Sequence, residues 1–416
     1  MEITPNGIHF DDLDQFILFA RQYNLVGTMK LTDPLQDIKG NILIKENTTV
    51  KESALEKLHT IRDQFKHDFT IALTPDLLER IREKLANLIL KRLDETNNEF
   101  IGELFRETQH NYKGYIKHSF QSKGLALTAF KISGTKQSFF NHLADFGLIS
   151  LGIAIQKNFR IRFINRYAFL AGFLADICHS GSDNWKYPPQ VENAKKEIAG
   201  KSAQIAQKIK LPGEVIEAIR NHTITVFPFP STIQAPLDTG TANDKDFVSV
   251  EEDNENFPED AKADEKASMI TTEVLKIARY ITDSSLHISD SSHFAEELVY
   301  RVAYNSGKGY FHKELIAPIL RKFKQYENNI KKLTRIAEIE KECLHPPSAW
   351  AYPKPSAAQI LCQNRVNECP MLERGWDINV IAKQEAFGWI GVSLEPGDYP
   401  KCSLEEKLNE VMKDEF

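Results

Sequence analysis

The sequence predicts a mainly α-helical protein, a helical bundle preceded by a small α+β N-terminal unit. Three observations carry that expectation. Apolar residues recur at helical spacing over most of residues 100–330. A well-marked helix start, Thr74-Pro75-Asp76, stands ahead of an apolar stripe. Strand signals are confined to the first 45 residues.

The elements follow in order. Leu31-Thr32-Asp33-Pro34-Leu35 leads to a turn at Lys39-Gly40-Asn41, then a short strand at Ile42-Leu43-Ile44. Thr49 and Glu52 have capping-box spacing, which predicts a helix through Leu55 and Leu58. Thr74 caps the next helix, whose apolar face reads Leu78, Ile81, Leu85 and Leu88. Residues 94–98 read as a linker. A helix containing His142 continues through Leu148, Leu151 and Ile155. Another spans about Ile164 to Cys178 and is apolar nearly all round, so it is expected to be buried. Helices follow over about Glu192–Ile209, Glu214–His222, Ala267–Thr282, Phe294–Ala303 and Lys313–Tyr326. The expected domains are 1–95, 100–330 and a C-terminal extension at 331–416.

Residues 238–266 hold eleven acidic and three basic residues, a local charge of −8. Such a segment buries too little apolar surface to offset its ordering entropy, so it reads as a flexible acidic insertion. The whole chain of 416 residues carries −6, which leaves the remainder near +2 and permits a modestly basic pocket. Apolar residues make up 42% and charged residues 26%, close to globular averages. That composition excludes a wholly disordered chain, collagen and low-complexity fibre. The net charge gives no reason to expect a nucleic-acid polymer as partner. No run of about 18 apolar residues predicts a membrane span. The N-terminus lacks the pattern of a secretory signal, and five scattered cysteines read as reduced thiols, so a cytoplasmic protein is expected. Cys343, Cys362, Cys369 and Cys402 form no C-x-x-C pair. Trp350, Tyr352, Trp376 and Trp389 are expected to pack the tail against the helices, and Ser306-Gly307-Lys308-Gly309 reads as a helix-joining loop.

Six segments together resemble the HD-GYP family of bacterial metal-dependent phosphohydrolases. Residues 31–44 resemble the small domain that precedes the family's helical domain. His142, in Asn141-His142-Leu143-Ala144, stands where the first metal histidine opens a helix. Phe173-Leu174-Ala175-Asp176-Ile177 is similar to the segment carrying the His-Asp doublet. Residues 205–222, ending in Asn221-His222, resemble the stretch that ends in a His-His pair. Lys276-Ile277-Ala278-Arg279 and Gly309-Tyr310-Phe311-His312 resemble the closing segments. The resemblance implies an HD-domain-like helical bundle and a chemistry of cyclic dinucleotides, such as cyclic di-GMP, at a metal centre.

Departures from the family pattern are as informative. Ala175 replaces the doublet histidine, Asn221 replaces the first histidine of the pair, and Arg279 stands at the final aspartate. Lys196 stands at another histidine, and no Gly-Tyr-Pro follows His222. The resemblance therefore leaves His142, Asp176 and His222 as metal ligands, with His179 as a substitute because it lies three residues after Asp176. Two histidines and a carboxylate suit one divalent Fe, Mn or Zn ion. Lys196 and Arg279 add cations that repel metal and favour phosphate. Two roles stay open for Asp176: metal bridging, or a salt bridge to Arg279 that stands in for the metal. The expected function is a non-catalytic signalling module, a pseudoenzyme that binds a cyclic dinucleotide or a signalling protein. The alternative is an active metal-dependent phosphodiesterase using the surviving ligands.

Overall fold

The computed structural model describes residues 2–3, 7–22, 24–65, 69–108, 110–157, 159, 163–181, 192–223, 263–285, 294–341 and 410. Of these, 72% are helical, so the mainly α expectation holds. Most of the acidic insertion and the Cys- and Trp-containing tail lie outside the described residues.

A small sheet opens the chain. Strands β1 (Glu2–Ile3), β2 (Gly7–Phe10) and β5 (Phe69–Ala72) pair antiparallel in the order β1-β2-β5. The register sets Ile8 opposite Ile71 and Phe10 opposite Phe69. Helix α1 (Leu13–Gln22) follows β2 and buries Leu13, Phe16 and Phe19. β3 (Leu35–Gln36) and β4 (Ile42–Ile44) form a separate hairpin, as the sequence suggested for residues 42–44. Its turn is closed by Asp37, whose carboxylate accepts from the Lys39 and Asn41 backbone N–H groups, each at 2.8 Å. Gly40 takes a positive φ of 85°, which favours a residue without a side chain.

Helix α2 (Glu52–Thr60) begins later than the capping-box spacing suggests. Thr49 instead bridges to Lys30, and Lys51 occupies the N-cap without a side-chain bond. Helix α3 (Pro75–Asp94) starts as expected: the Thr74 hydroxyl accepts from Leu77 N–H at 3.2 Å. Its buried row is Leu77, Ile81, Leu85 and Ile89 rather than one through Leu78 and Leu88, which are half-buried. Both rows are apolar at helical spacing, and the tertiary partners select between them.

Those partners are helices of the following unit. α3 packs against α5 (Tyr112–Ser119), α6 (Lys123–Thr135) and α7 (Gln137–Lys157). The Arg92 fork holds Asp145 of α7 at 2.9 and 2.8 Å. Phe19 meets Phe130 edge-on at 5.1 Å, and one apolar core runs from Ile8 to Ile330. Residues 1–95 and the helical region thus share a core. Residues 95–98 join α3 to α4 (Glu99–Phe105), with Asn98 capping α4.

Helix α7 is the centre of the bundle. It is long and apolar enough to cross a membrane by length and composition, yet 78% of its most apolar window is buried by other helices. It crosses α8 (Ile164–Leu174) closely, because Gly172 brings its backbone against the Phe146 carbonyl and Ser150. α8 ends at Leu174, short of the expected Cys178. The chain tightens into a 3-10 turn over Ile177–Gly181, where polar residues replace the apolar face.

Helices α9 (Glu192–Lys208) and α10 (Gly213–Asn221) match the sequence reading to within a residue or two. α11 (Ala263–Ser285) takes in residues 263–266, the end of the acidic run. α12 (Phe294–Gly307) extends the expected helix into the Ser306-Gly307 segment. α13 (Lys313–Leu320) is followed by a 3-10 turn at Lys324–Tyr326. α14 (Glu327–Lys341) runs through the boundary placed at 331 and packs on α12.

Candidate functional site

Five chain segments bring charged and imidazole groups to one buried point. His142 lies on α7, and Asp176 follows α8. Lys195 lies on α9, His222 caps the C-terminus of α10, and Arg279 and Asp283 lie one turn apart on α11. Asp176 is fully buried, His222 is 1% exposed and Arg279 5%. Burial of unpaired charges at this depth is costly, so the groups must satisfy one another.

They do so around the Arg279 guanidinium. Its Nη2 donates to Asp176 Oδ1 at 2.6 Å and its Nη1 to Asp176 Oδ2 at 3.0 Å. His142 Nε2 donates to Asp176 Oδ2 at 2.7 Å. Arg279 Nε and Nη2 also reach His222 Nε2, at 3.2 and 3.1 Å. Arginine only donates, so His222 Nε2 carries the lone pair. The tautomer agrees: Nδ1–H of His222 donates to the Ile219 carbonyl at 2.6 Å. The guanidinium lies 4.5 Å from the centre of the Phe146 ring, a cation–π contact that covers its apolar side. Asp283 Oδ1 is 3.8 Å from Arg279 Nη1, and Asp283 Oδ2 accepts from Lys195 Nζ at 2.5 Å. Two cations therefore face two carboxylates.

The electrostatics follow from this arrangement. Burial pushes the Asp176 carboxyl up, but the Arg279 charge and the His142 hydrogen bond overcome it and hold Asp176 below the usual carboxylate range. Burial, reinforced by the Arg279 charge, lowers His222 to about 3, so its ring is neutral near pH 7. His179 is lowered by burial, against the pull of Asp176. Burial raises the Cys178 thiol, whose neighbour Ser202 partly opposes the shift.

The expected site residues divide accordingly. His142, Asp176, His222 and Arg279 come together. His179 lies on the adjoining 3-10 turn, and its buried Nε2 has no hydrogen-bond partner among the described residues. Lys196 does not join them: it is exposed on α9, and the residue before it, Lys195, faces inward. A shift of one position turns a helical side chain by about 100°, so it is Lys195 that reaches Asp283. Lys195 and Asp283 were not singled out from sequence. The spacing of four between Arg279 and Asp283 was the available signal; for Lys195 there was none.

A metal fits this centre poorly. The lone pair that His222 would offer accepts from Arg279, and both Asp176 oxygens accept hydrogen bonds. The guanidinium itself fills the space on which these donors converge. Among the described residues, no group of three or more His, Cys, Asp or Glu side chains is arranged to hold a metal ion. The cavity lined by Asp176, Lys195, His222, Arg279 and Asp283 measures about 10 Å³, space for one water. Arg279, assigned to phosphate by the sequence reading, is held by Asp176 and His222.

No protein-family model, curated protein or solved structure matches this chain.

Proposed function

We propose that this chain is a degenerate HD-GYP-like signalling protein of the bacterial cytoplasm, a non-catalytic module that acts by binding a signalling protein. The observation that carries the reading is the Arg279 guanidinium clamped between Asp176 and His222. Phosphodiester hydrolysis by this class of centre needs an activated water and charge neutralisation at the phosphate. A buried cluster whose acceptor atoms are taken up by Arg279 and His142 supplies neither. It does supply a rigid joint between α7, α8, α10 and α11, which suits a domain whose outer surfaces do the work. The small cavity disfavours a cyclic dinucleotide at the cluster itself.

An active phosphodiesterase is the second reading, favoured by the convergence of His142, Asp176 and His222. One experiment separates the two. The full chain is incubated with Mn²⁺ or Fe²⁺ and cyclic di-GMP, and linear product is measured by chromatography beside the Asp176→Asn variant. The proposal expects no turnover from either protein. Turnover by the wild type that disappears in the variant establishes the enzyme instead.

A further inference from the structure

We infer that the groove between α3 and α5 is the docking site of a segment of this same chain, residues 403–416, which lies in it as an amphipathic helix. The inference goes beyond the binding role proposed above and does not depend on it. α3 and α5 pack side by side and leave an open space of about 390 Å³ between them. The floor of this groove is small or apolar: Ala86 is buried, and Leu90 and Gly114 are half-buried. Gly114 has no side chain, so another backbone can come close to α5 there. The rim is charged and exposed. Lys117 stands 3.5 Å from Glu83, and Lys113 has no ion pair among the described residues. The chain around it is basic as well: between Glu107 and Asp145 it carries five lysines and no acidic residue. A groove with an apolar floor and a lysine rim suits the apolar face of a third helix that has carboxylates along its border.

Residues 403–416, of which the structure describes Glu410, have the sequence of such a helix. Ser403 and Glu406 stand at capping-box spacing. Leu404, Leu408, Val411 and Met412 recur at i, i+4, i+7 and i+8, which makes one apolar row. Glu405 and Asp414 border that row. Five acidic and two basic residues give the segment a charge of −3, opposite in sign to the lysine rim. On this helix Glu410 falls on the side away from the apolar row, and in the structure Glu410 is helical and exposed. The row packs on Ala86, Leu90 and Gly114, and the bordering carboxylates face Lys113 and Lys117. The connection sets no limit: about 60 residues separate Lys341, the end of α14, from Ser403, and at up to about 3.3 Å each they reach any point of the surface.

The test uses the full chain and a fluorescein-labelled synthetic peptide of residues 403–416, followed by fluorescence anisotropy. In the wild type the segment covers its own groove and competes with the peptide as a tethered ligand. Leu408→Asp/Val411→Asp breaks the apolar row and leaves the groove open. This variant is expected to bind the peptide saturably and at least about tenfold more tightly than the wild type does. A chain ending at Cys402 is a second open form, expected to behave alike. Adding Lys113→Glu/Lys117→Glu to the open variant is expected to weaken binding at least about tenfold, and a peptide with Glu405→Lys and Asp414→Lys to recover part of it. Both lysines are exposed, and circular dichroism checks that the helices are kept. No saturable binding to either open form overturns the inference, as does equal binding by wild type and open variant. Binding that ignores the lysine reversals places the segment elsewhere and overturns it too. An open variant that leaves the peptide unbound and dimerises in analytical ultracentrifugation gives the groove to a second copy of the chain instead.

Discussion

Replacing Arg279 by Met tests the cluster directly. The substitution keeps an apolar stem over Phe146 and deletes the charge. Asp176, fully buried, would retain one of its three hydrogen bonds, the one from His142. His222 Nε2 would lose its donor as well. Hydrogen bonds to charged groups contribute about 1.5–3 kcal/mol each, and breaking a buried pair from one side costs about 3–5 kcal/mol. We therefore expect Arg279→Met to lower unfolding stability by about 3–5 kcal/mol. Urea unfolding followed by circular dichroism measures this as a lower midpoint at unchanged slope. The double variant Asp176→Asn/Arg279→Met should be more stable than additivity predicts, by a coupling of about 1–3 kcal/mol. A loss below about 1 kcal/mol for Arg279→Met, or additivity within about 0.5 kcal/mol, refutes the account of the cluster as a mutually dependent unit.

Three further outcomes are expected. His222 titrates near 6.5 in the unfolded chain and near 3 in the folded one, so the unfolded state binds the extra proton between those values. Its contribution is complete above pH 6.5 and is lost as pH falls toward 3, at up to about 1.4 kcal/mol per pH unit. A His222→Gln variant whose stability falls as steeply over that window as the wild type's would contradict this. Lys195→Ala should destabilise by about 3 kcal/mol, because it removes the closest cation from the buried Asp283 carboxylate, whereas exposed Lys196→Ala should stay within about 0.5 kcal/mol; equal effects in thermal melts would show that α9 is set in a different rotation. Gly172→Ala should cost about 1–3 kcal/mol, since a methyl group there would stand 2.7 Å from the Phe146 carbonyl and press on Ser150; a neutral result would mean that α7 and α8 separate without strain.

The sequence by itself determined the helical class and most helix positions from residue 137 onward. Apolar periodicity and local signals such as Thr74-Pro75 act within one or two turns, so they are readable without the fold. Resemblance to a known family brought out His142, Asp176, His222 and Arg279, and the residue types then offered the Asp176–Arg279 salt bridge as one of two roles for that aspartate. The tertiary structure decided the rest. Which apolar row of α3 is buried depends on α5, α6 and α7, and Thr49 left its capping position because Lys30 came to bridge it. Residues 1–95 share their core with the helices through contacts such as Phe19 with Phe130, which no local pattern records. The choice of Lys195 over Lys196 is a matter of helix rotation, fixed only when α9 docks beside Asp283. Whether Asp176 faces a metal or a guanidinium depends on Arg279, 103 positions away along the chain, and only folding sets that distance at 2.6 Å.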